Sequence, residues 1–263
     1  MKHILNKIAL IIIVGDFLFF SCGHKKDTAP APSETCYLQS EWQYGIRQDS
    51  FIYSSSNQLI SVIEYDTLSG KQASVANITY NNDGAINQFA ITFSADSINS
   101  IKNYYNSSGQ LAYELVYTNT IKTDSIAYQY TGSNITLAID YSVGVNITPT
   151  VSFIAYYTYD KYGNVLIEKD TSSSGIDMYV YTYDIEKIPY GTLITNAYTT
   201  TGTIDMPYLN GKNNLASMNY TVNGVTQPSS FTTIYTYNSN NYPITTYSPG
   251  GQISSSSYNY VCK

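Results

Sequence analysis

Histidine is almost missing from this sequence: only His3 and His24 occur in a chain of 263 residues. A domain folded from residue 36 onward has no imidazole. That excludes Ser-His-Asp and Cys-His nucleophilic catalysis there, and His-ligated metal centres with them. Charge is scarce as well, with Asp, Glu, Lys and Arg together at 12% of residues, about half the usual share. Thirteen basic residues against 19 acidic leave a net charge of −6. With no basic patch to neutralise phosphates, nucleic acid is not an expected partner. Neither a P-loop nor a dinucleotide fingerprint is present, and no cofactor is expected. So little charge, combined with abundant Thr, Ser and Asn, also argues against a coiled coil, a helical bundle or a charged disordered tail. What the chain has in excess is tyrosine, 29 residues of it.

The N-terminal segment gives an address. Lys2, His3 and Lys7 precede a run from Ile8 to Phe20 that is apolar except for Gly15 and Asp16. Such a run is too short to span a bilayer as a helix but fits the apolar region of a secretion signal. It ends in Leu18-Phe19-Phe20-Ser21-Cys22-Gly23, a small residue before a Cys, which resembles a bacterial lipobox. In that pattern the Cys22 thiol is acylated and becomes the mature N-terminus. The following Gly23-His24-Lys25-Lys26-Asp27 resembles in part the Lys-then-acid export signal of surface lipoproteins in Bacteroidota. The chain therefore divides into a signal peptide (1–21), a flexible Pro-containing tether (22–35) and a folded domain (36–263). The expected location is the outer membrane, lipid-anchored, at the cell surface, with the periplasmic face as the alternative.

The folded part repeats itself, and a repeat governs the fold. The unit is an aromatic alternation, a four-residue turn and an apolar strand start, clearest in Tyr157-Thr158-Tyr159-Asp160-Lys161-Tyr162-Gly163-Asn164-Val165. With the second aromatic as anchor, copies fall at Tyr53, Tyr80, Tyr105, Tyr130, Tyr159, Tyr183 and Tyr237. The last gap is about twice the others, which predicts an eroded copy around Leu209 to Leu215. Four residues after each anchor stand Asn57, Gly84, Gly109, Asn134, Gly163, Lys187 and Asn241. All but Lys187 are Gly or Asn, the residues that accept a left-handed backbone at low cost, as a hairpin loop requires. Residues two apart on a strand share a face. The pairs Tyr128 and Tyr130, Tyr157 and Tyr159, Tyr181 and Tyr183, and Tyr235 and Tyr237 therefore each stack on one side. The predicted fold is all-β: an antiparallel meander of about eight Tyr-rich hairpins in a curled or closed barrel-like sheet.

The Tyr-x-Tyr-Asp-x-x-Gly-Asn core at Tyr157 to Asn164 resembles the YD repeat of Rhs-type shell proteins. The whole layout is closer to another group. The lipobox, the Tyr-rich hairpins, Lys212-Asn213-Asn214-Leu215, Tyr237 to Pro243 and the closing Tyr258-Asn259-Tyr260-Val261-Cys262 together resemble Bacteroidota lipoproteins of a domain-of-unknown-function family with a porin-like fold. The resemblance spans most of residues 36 to 263 and implies a many-stranded β-sheet on an exported lipoprotein. It implies no activity.

Three cysteines divide into one and two. Cys22 is the lipid candidate. Cys36 and Cys262 stand at the two ends of the domain, where a disulfide would clasp first strand to last and stabilise by about 4–5 kcal/mol in the chain-entropy model; two buried thiols are the alternative. Trp42, the single Trp, reads as a core anchor of the first strand. Among acids, Glu64 with Asp66 and Glu168 with Asp170 each share a strand face and are the candidates for a glycosidase pair, but solvated strand ends explain them better. Asp160 and Asp184 read as turn caps, and Asn82 with Asp83 matches no calcium-loop spacing. The Tyr pairs named above are the remaining candidate for a binding face, for a sugar or a protein. Cross-strand ring ladders are the plainer reading of them. The expected function is a non-enzymatic binding or structural lipoprotein. A glycan-active enzyme with carboxylates in loops near 168–187 and 201–211 is one alternative, and a membrane-spanning pore is the other.

Overall fold

The computed structural model describes residues 35–263 apart from 67, 94–96, 144–147, 188–211 and 250–254. The signal segment, Cys22, the tether up to residue 34 and the 201–211 loop lie outside the described residues. Eighteen strands run through the rest: β1 (Cys36–Gln43), β2 (Ile46–Tyr53), β3 (Leu59–Tyr65), β4 (Gln72–Tyr80), β5 (Ile86–Phe93), β6 (Ile98–Tyr105), β7 (Leu111–Thr118), β8 (Ile121–Thr131), β9 (Asn134–Ser142), β10 (Thr150–Tyr159), β11 (Val165–Ser172), β12 (Gly175–Lys187), β13 (Asn213–Val222), β14 (Val225–Thr226), β15 (Phe231–Thr232), β16 (Ile234–Tyr237), β17 (Pro243–Tyr247) and β18 (Ser256–Cys262). No described residue is helical.

From β2 to β13 each strand pairs antiparallel with the next. The meander continues through β16, β17 and β18, and β18 pairs with β1, which pairs with β2. The short β14 and β15 fold back on β13. Among the described residues no ladder joins β13 to β16, so the sheet curls without closing. The interruption is narrow: the Thr233 N–H donates to the Ala216 carbonyl at 2.8 Å.

Five hairpins turn in one way, and the turn explains the repeat. The N–H of Ser54, Asn81, Asn106, Asp160 and Asn238 donates to the carbonyl four residues on at 2.7–2.9 Å. Their own carbonyls accept from the residue three on, at 3.0–3.2 Å. That donor is Asn57, Gly84, Gly109, Gly163 or Asn241, each with φ between 62° and 91°, the left-handed conformation other side chains resist. Asn134 does not follow the rule. Thr131 pairs directly with Asn134, so this loop has only two residues, and the positive φ of 63° falls on Gly132.

Two further departures correct the repeat count. Tyr183 pairs with Leu215, as Tyr159 pairs with Val165. The Lys212 to Leu215 element is thus the return strand of the Tyr183 hairpin, delayed by an insertion, and is not an eroded copy. The eighth hairpin is instead built from the two chain ends. Tyr260 pairs with Leu38 in the way an anchor pairs with a strand-opening residue, and a Cys36–Cys262 disulfide stands where the other hairpins have a turn. Eight hairpins supply sixteen strands, and β14 and β15 complete the eighteen.

One face of the sheet carries the core. Leu38, Phe51, Val62, Phe89 and Ile91 belong to one buried cluster, and Ile101, Ile126, Tyr157, Tyr181 and Leu215 to the next. Trp42 is not part of either. A register shift between Leu38 and Ser40 brings Glu41 inward and turns Trp42 outward, half-buried. There its indole N–H donates to Ser40 Oγ at 2.8 Å and the Arg47 guanidinium lies 4.9 Å from the ring centroid. A β-bulge inverts every later side chain on its strand, which is why simple alternation misplaces this residue.

Candidate functional site

The tyrosines selected by the repeat all face inward, and most of their hydroxyls do one job. Each hairpin sends a tyrosine hydroxyl to the backbone carbonyl that opens the return strand of the preceding hairpin. Tyr53 reaches Leu38, Tyr80 reaches Leu59, Tyr105 reaches Ile86 and Tyr130 reaches Leu111. Tyr159 reaches Ile135, Tyr183 reaches Val165, Tyr235 reaches Leu215 and Tyr260 reaches Pro243. These eight bonds measure 2.6–3.0 Å. Tyr235 spans the place where β13 and β16 share no ladder, so the hydroxyl series passes right around the curled sheet. Burial raises the Tyr53, Tyr80, Tyr105, Tyr159 and Tyr260 hydroxyls above their ordinary range. Burial, with the Glu114 charge second, pushes Tyr130 up to about 12. All remain protonated donors at neutral pH.

One layer deeper lie Tyr128, Tyr157 and Tyr181, all buried. The Tyr128 hydroxyl donates to Glu114 Oε2 at 2.7 Å and that of Tyr181 to Glu168 Oε2 at 2.5 Å; Tyr157 stands opposite Glu168 in register. These rings, together with Tyr130, Tyr159, Tyr183, Tyr235 and Tyr237, therefore line the interior and are not an exposed recognition face. Cross-strand packing and hydrogen bonding occupy them.

The same interior holds seven buried acids: Glu41, Asp49, Glu114, Asp124, Asp140, Glu168 and Asp170. None of the described lysines and arginines is buried with them. Glu41, Asp49 and Glu64 are direct cross-strand neighbours in a row over β1, β2 and β3. Burial first, then the charges of Glu41 and Glu64, holds the Asp49 carboxyl well above the usual carboxylate range. Burial pushes Glu114 up to about 8, against the opposing pull of the Tyr128 hydrogen bond. Asp124 is raised by burial. A buried carboxyl without a cation keeps its proton because ionisation in a low dielectric is costly. Sequence reading missed Glu41, Asp49, Glu114, Asp124 and Asp140; for the last four the signal was an acid in mid-strand, two residues from a buried apolar residue, Phe51, Val116, Ile126 or Ala138.

Of the acid pairs, Glu168 and Asp170 do share the inner face, opposite Tyr157 and Ala155. Glu64 and Asp66 do not. A register shift between Glu64 and Tyr65 leaves Glu64 inside, accepting the Ser74 hydroxyl at 2.7 Å. Asp66 sits on an exposed turn, where Ser69 and Leu68 hydrogen bonds hold it below its ordinary value. Asp160 caps its turn through the Tyr162 and Asn164 N–H groups at 2.8 and 2.9 Å. Burial acts to raise this carboxyl, but the hydrogen bonds from Asn164, Tyr162 and Gly163 outweigh it and lower it. Asp83 accepts the Ala85 N–H on another turn. Among the described residues no group of three or more His, Cys, Asp or Glu is placed to hold a metal ion.

Two asparagines of the motifs quoted from sequence, with no role given there, anchor the insertion. The Asn164 amide donates to Asp160 Oδ2 at 2.8 Å, and Asn164 N–H donates to Asp160 Oδ1. Asn214 repeats both bonds on Asp184, at 3.0 and 3.1 Å, and the Tyr237 hydroxyl donates to the same Asp184 carboxylate. Asn214 is thus the counterpart of Asn164, with the inserted residues between it and Asp184. The Asn164 side-chain oxygen also receives the Lys212 N–H at 2.7 Å, which ties the re-entering chain to the preceding hairpin.

Comparison with solved structures places the architecture. The chain is similar in fold to a porin-like protein from Bacteroides uniformis ATCC 8492, with a TM-score of 0.53, 12% identity, and 90% of this chain aligned to 100% of that one. A porin-like protein from Bacteroides vulgatus ATCC 8482 aligns at a TM-score of 0.49 and 12% identity, covering 86% of this chain and 99% of that one. The fold is porin-like. No family model and no curated protein matches the chain.

Proposed function

We propose that the chain is a non-enzymatic β module, held at the outer membrane by a lipid on Cys22 and working through its outer surface as a binding or structural element. The observation that carries this reading is the placement of Glu168, which is 1% exposed, has the Tyr181 hydroxyl on one oxygen and stands opposite Tyr157. Catalytic carboxyls of a glycosidase must flank a substrate. Here the acids that face one another sit in a packed interior, and the accessible Asp66 and Asp160 are capping separate turns. Two hydrophobic clusters fill the inner face, which supports a filled module over a water-lined pore. The anchor rests on the Leu18 to Gly23 pattern.

The test is a polysaccharide panel assayed for both binding and hydrolysis with the purified chain and with Glu168→Gln and Asp170→Asn. The expected result is no turnover from any of the three proteins. Hydrolysis by the wild type that disappears in either variant would establish the enzyme reading instead.

A further inference from the structure

The strands of this sheet sort their charges by face. On β6 to β11 and on β12 as far as Tyr183, the acids are Glu114, Asp124, Asp140, Glu168, Asp170 and Asp177, and the register places each on the core side. Lys102 and Lys169 stand on the opposite side, both exposed. That outer side is also apolar. One continuous cross-strand row is Tyr113, Ala127, Ile139, Ile154, Thr171 and Ile176. The neighbouring row holds Leu137, Tyr156, Lys169 and Met178. Tyr156 is 48% exposed and Ile176 42%. Tyr113 stacks on Tyr104 at 4.5 Å between centroids, with Lys102 Nζ 5.7 Å from the Tyr104 ring. The outer side of β13 and β16 to β18 is more polar and carries no lysine, presenting Ser217, Asn219, Thr236, Thr245, Ser257 and Asn259 beside the exposed Ile234, Ile244 and Val261.

We propose that the outer face of β6 to β12 docks on the surface of an anionic phospholipid bilayer. In a chain of net charge −6, a face with lysines, tyrosines and aliphatic side chains but no outward carboxylate on its strands as far as Tyr183 of β12 is complementary to anionic headgroups over an acyl boundary. Aromatic and aliphatic groups supply the apolar contact, and lysines the attraction to the headgroups. The tether permits this orientation. Residues 22–35 can span at most about 50 Å when extended, whereas β9 is eight ladders from β1, roughly 38 Å along the sheet. An anchor entering at β1 therefore reaches the membrane while the opposite wall lies on it.

The inference rests on the membrane address proposed above, and its test is made independent of the lipid. The mature-length chain, residues 22–263 with Cys22→Ala and so without the apolar signal segment, is sedimented with vesicles of pure phosphatidylcholine and with vesicles that also contain phosphatidylglycerol. The expected result is binding to the anionic vesicles alone, reversed by high salt and reduced at least about tenfold by Lys102→Glu with Lys169→Glu. Both lysines are exposed, so far-UV circular dichroism should show the fold retained. Tyr156→Ser with Met178→Ser should weaken the same binding. No binding, or equal binding to neutral vesicles unaffected by charge reversal, would overturn the docking face. Release of an entrapped dye would overturn it in favour of a spanning barrel. A wild-type chain that fractionates with membranes through Cys22, while the Cys22→Ala chain ignores vesicles, would refute this inference and leave the anchor standing.

Discussion

Glu114→Gln should change the sign of its effect on stability between acid and alkaline pH. Glu114 is fully buried between Asn103 on β6 and Ile126 on β8. The Tyr128 hydroxyl bonds its Oε2, and Oε1 has no hydrogen-bond partner. Burial pushes the folded carboxyl up to about 8 from an ordinary 4.5. Below both values the folded and unfolded chains are equally protonated, and the group contributes no pH dependence. Between them the unfolded chain releases a proton that the folded chain keeps. Stability therefore falls with rising pH by about 1.4 kcal/mol per pH unit, reaching a loss of about 3 kcal/mol at pH 7 and about 5 kcal/mol above pH 8. Glutamine has no proton to release and still accepts the Tyr128 hydroxyl, but it introduces an amide NH₂ where Oε1 lacks a partner, at about 1–3 kcal/mol. The variant should be less stable than wild type by about that amount near pH 4, and more stable by about 2–4 kcal/mol at pH 8.5. Urea unfolding followed by far-UV circular dichroism at several pH values reads both numbers. Parallel stability curves, with the variant weaker at every pH, would refute the claim that Glu114 is held protonated.

Other consequences are simpler. Replacing Cys36 and Cys262 by serine opens a loop with a sequence separation of 226 and should lower stability by about 5 kcal/mol; a midpoint unchanged by the double substitution would contradict the role of the bond as the eighth turn. Tyr80→Phe removes the 2.6 Å bond to Leu59 and should cost about 1–2 kcal/mol. The outward Tyr113→Phe should lie within about 0.5 kcal/mol of wild type, so equal effects would refute the inner hydroxyl series. At Asn57, with φ of 62°, alanine should cost about 1 kcal/mol and glycine almost nothing, measured by thermal unfolding; a tolerated alanine would remove the explanation given for the repeat.

The period of the repeat was legible because five of the turns need a left-handed residue four after the anchor, which Gly or Asn supplies cheaply. Tyr80, Tyr105 and Tyr159 could be placed from sequence alone, but not the use of their hydroxyls, since the accepting carbonyl belongs to the preceding hairpin. The end hairpin was harder still: Tyr260 and Leu38 are an anchor and an opener at opposite ends of the chain, joined by Cys36–Cys262. Asp184 and Asn214 carry the same pairing as Asp160 and Asn164, yet the insertion between them imitates a missing repeat. Bulges account for the misplaced side chains. Shifts after Leu38 and after Glu64 invert the alternation that would have placed Trp42 inside and Glu64 beside Asp66.

The proposed lipid on Cys22 can be read from the mass of the mature N-terminal peptide. The peptide should be isolated from the membrane fraction of cells expressing the wild-type chain and the Cys22→Ala variant. The expected N-terminus is Cys22 bearing acyl chains, and the Cys22→Ala chain should carry no acyl chain and keep its leader residues uncleaved at that position. An unmodified Cys22, or a Cys22→Ala chain cleaved to the same N-terminus, would overturn the lipid anchor.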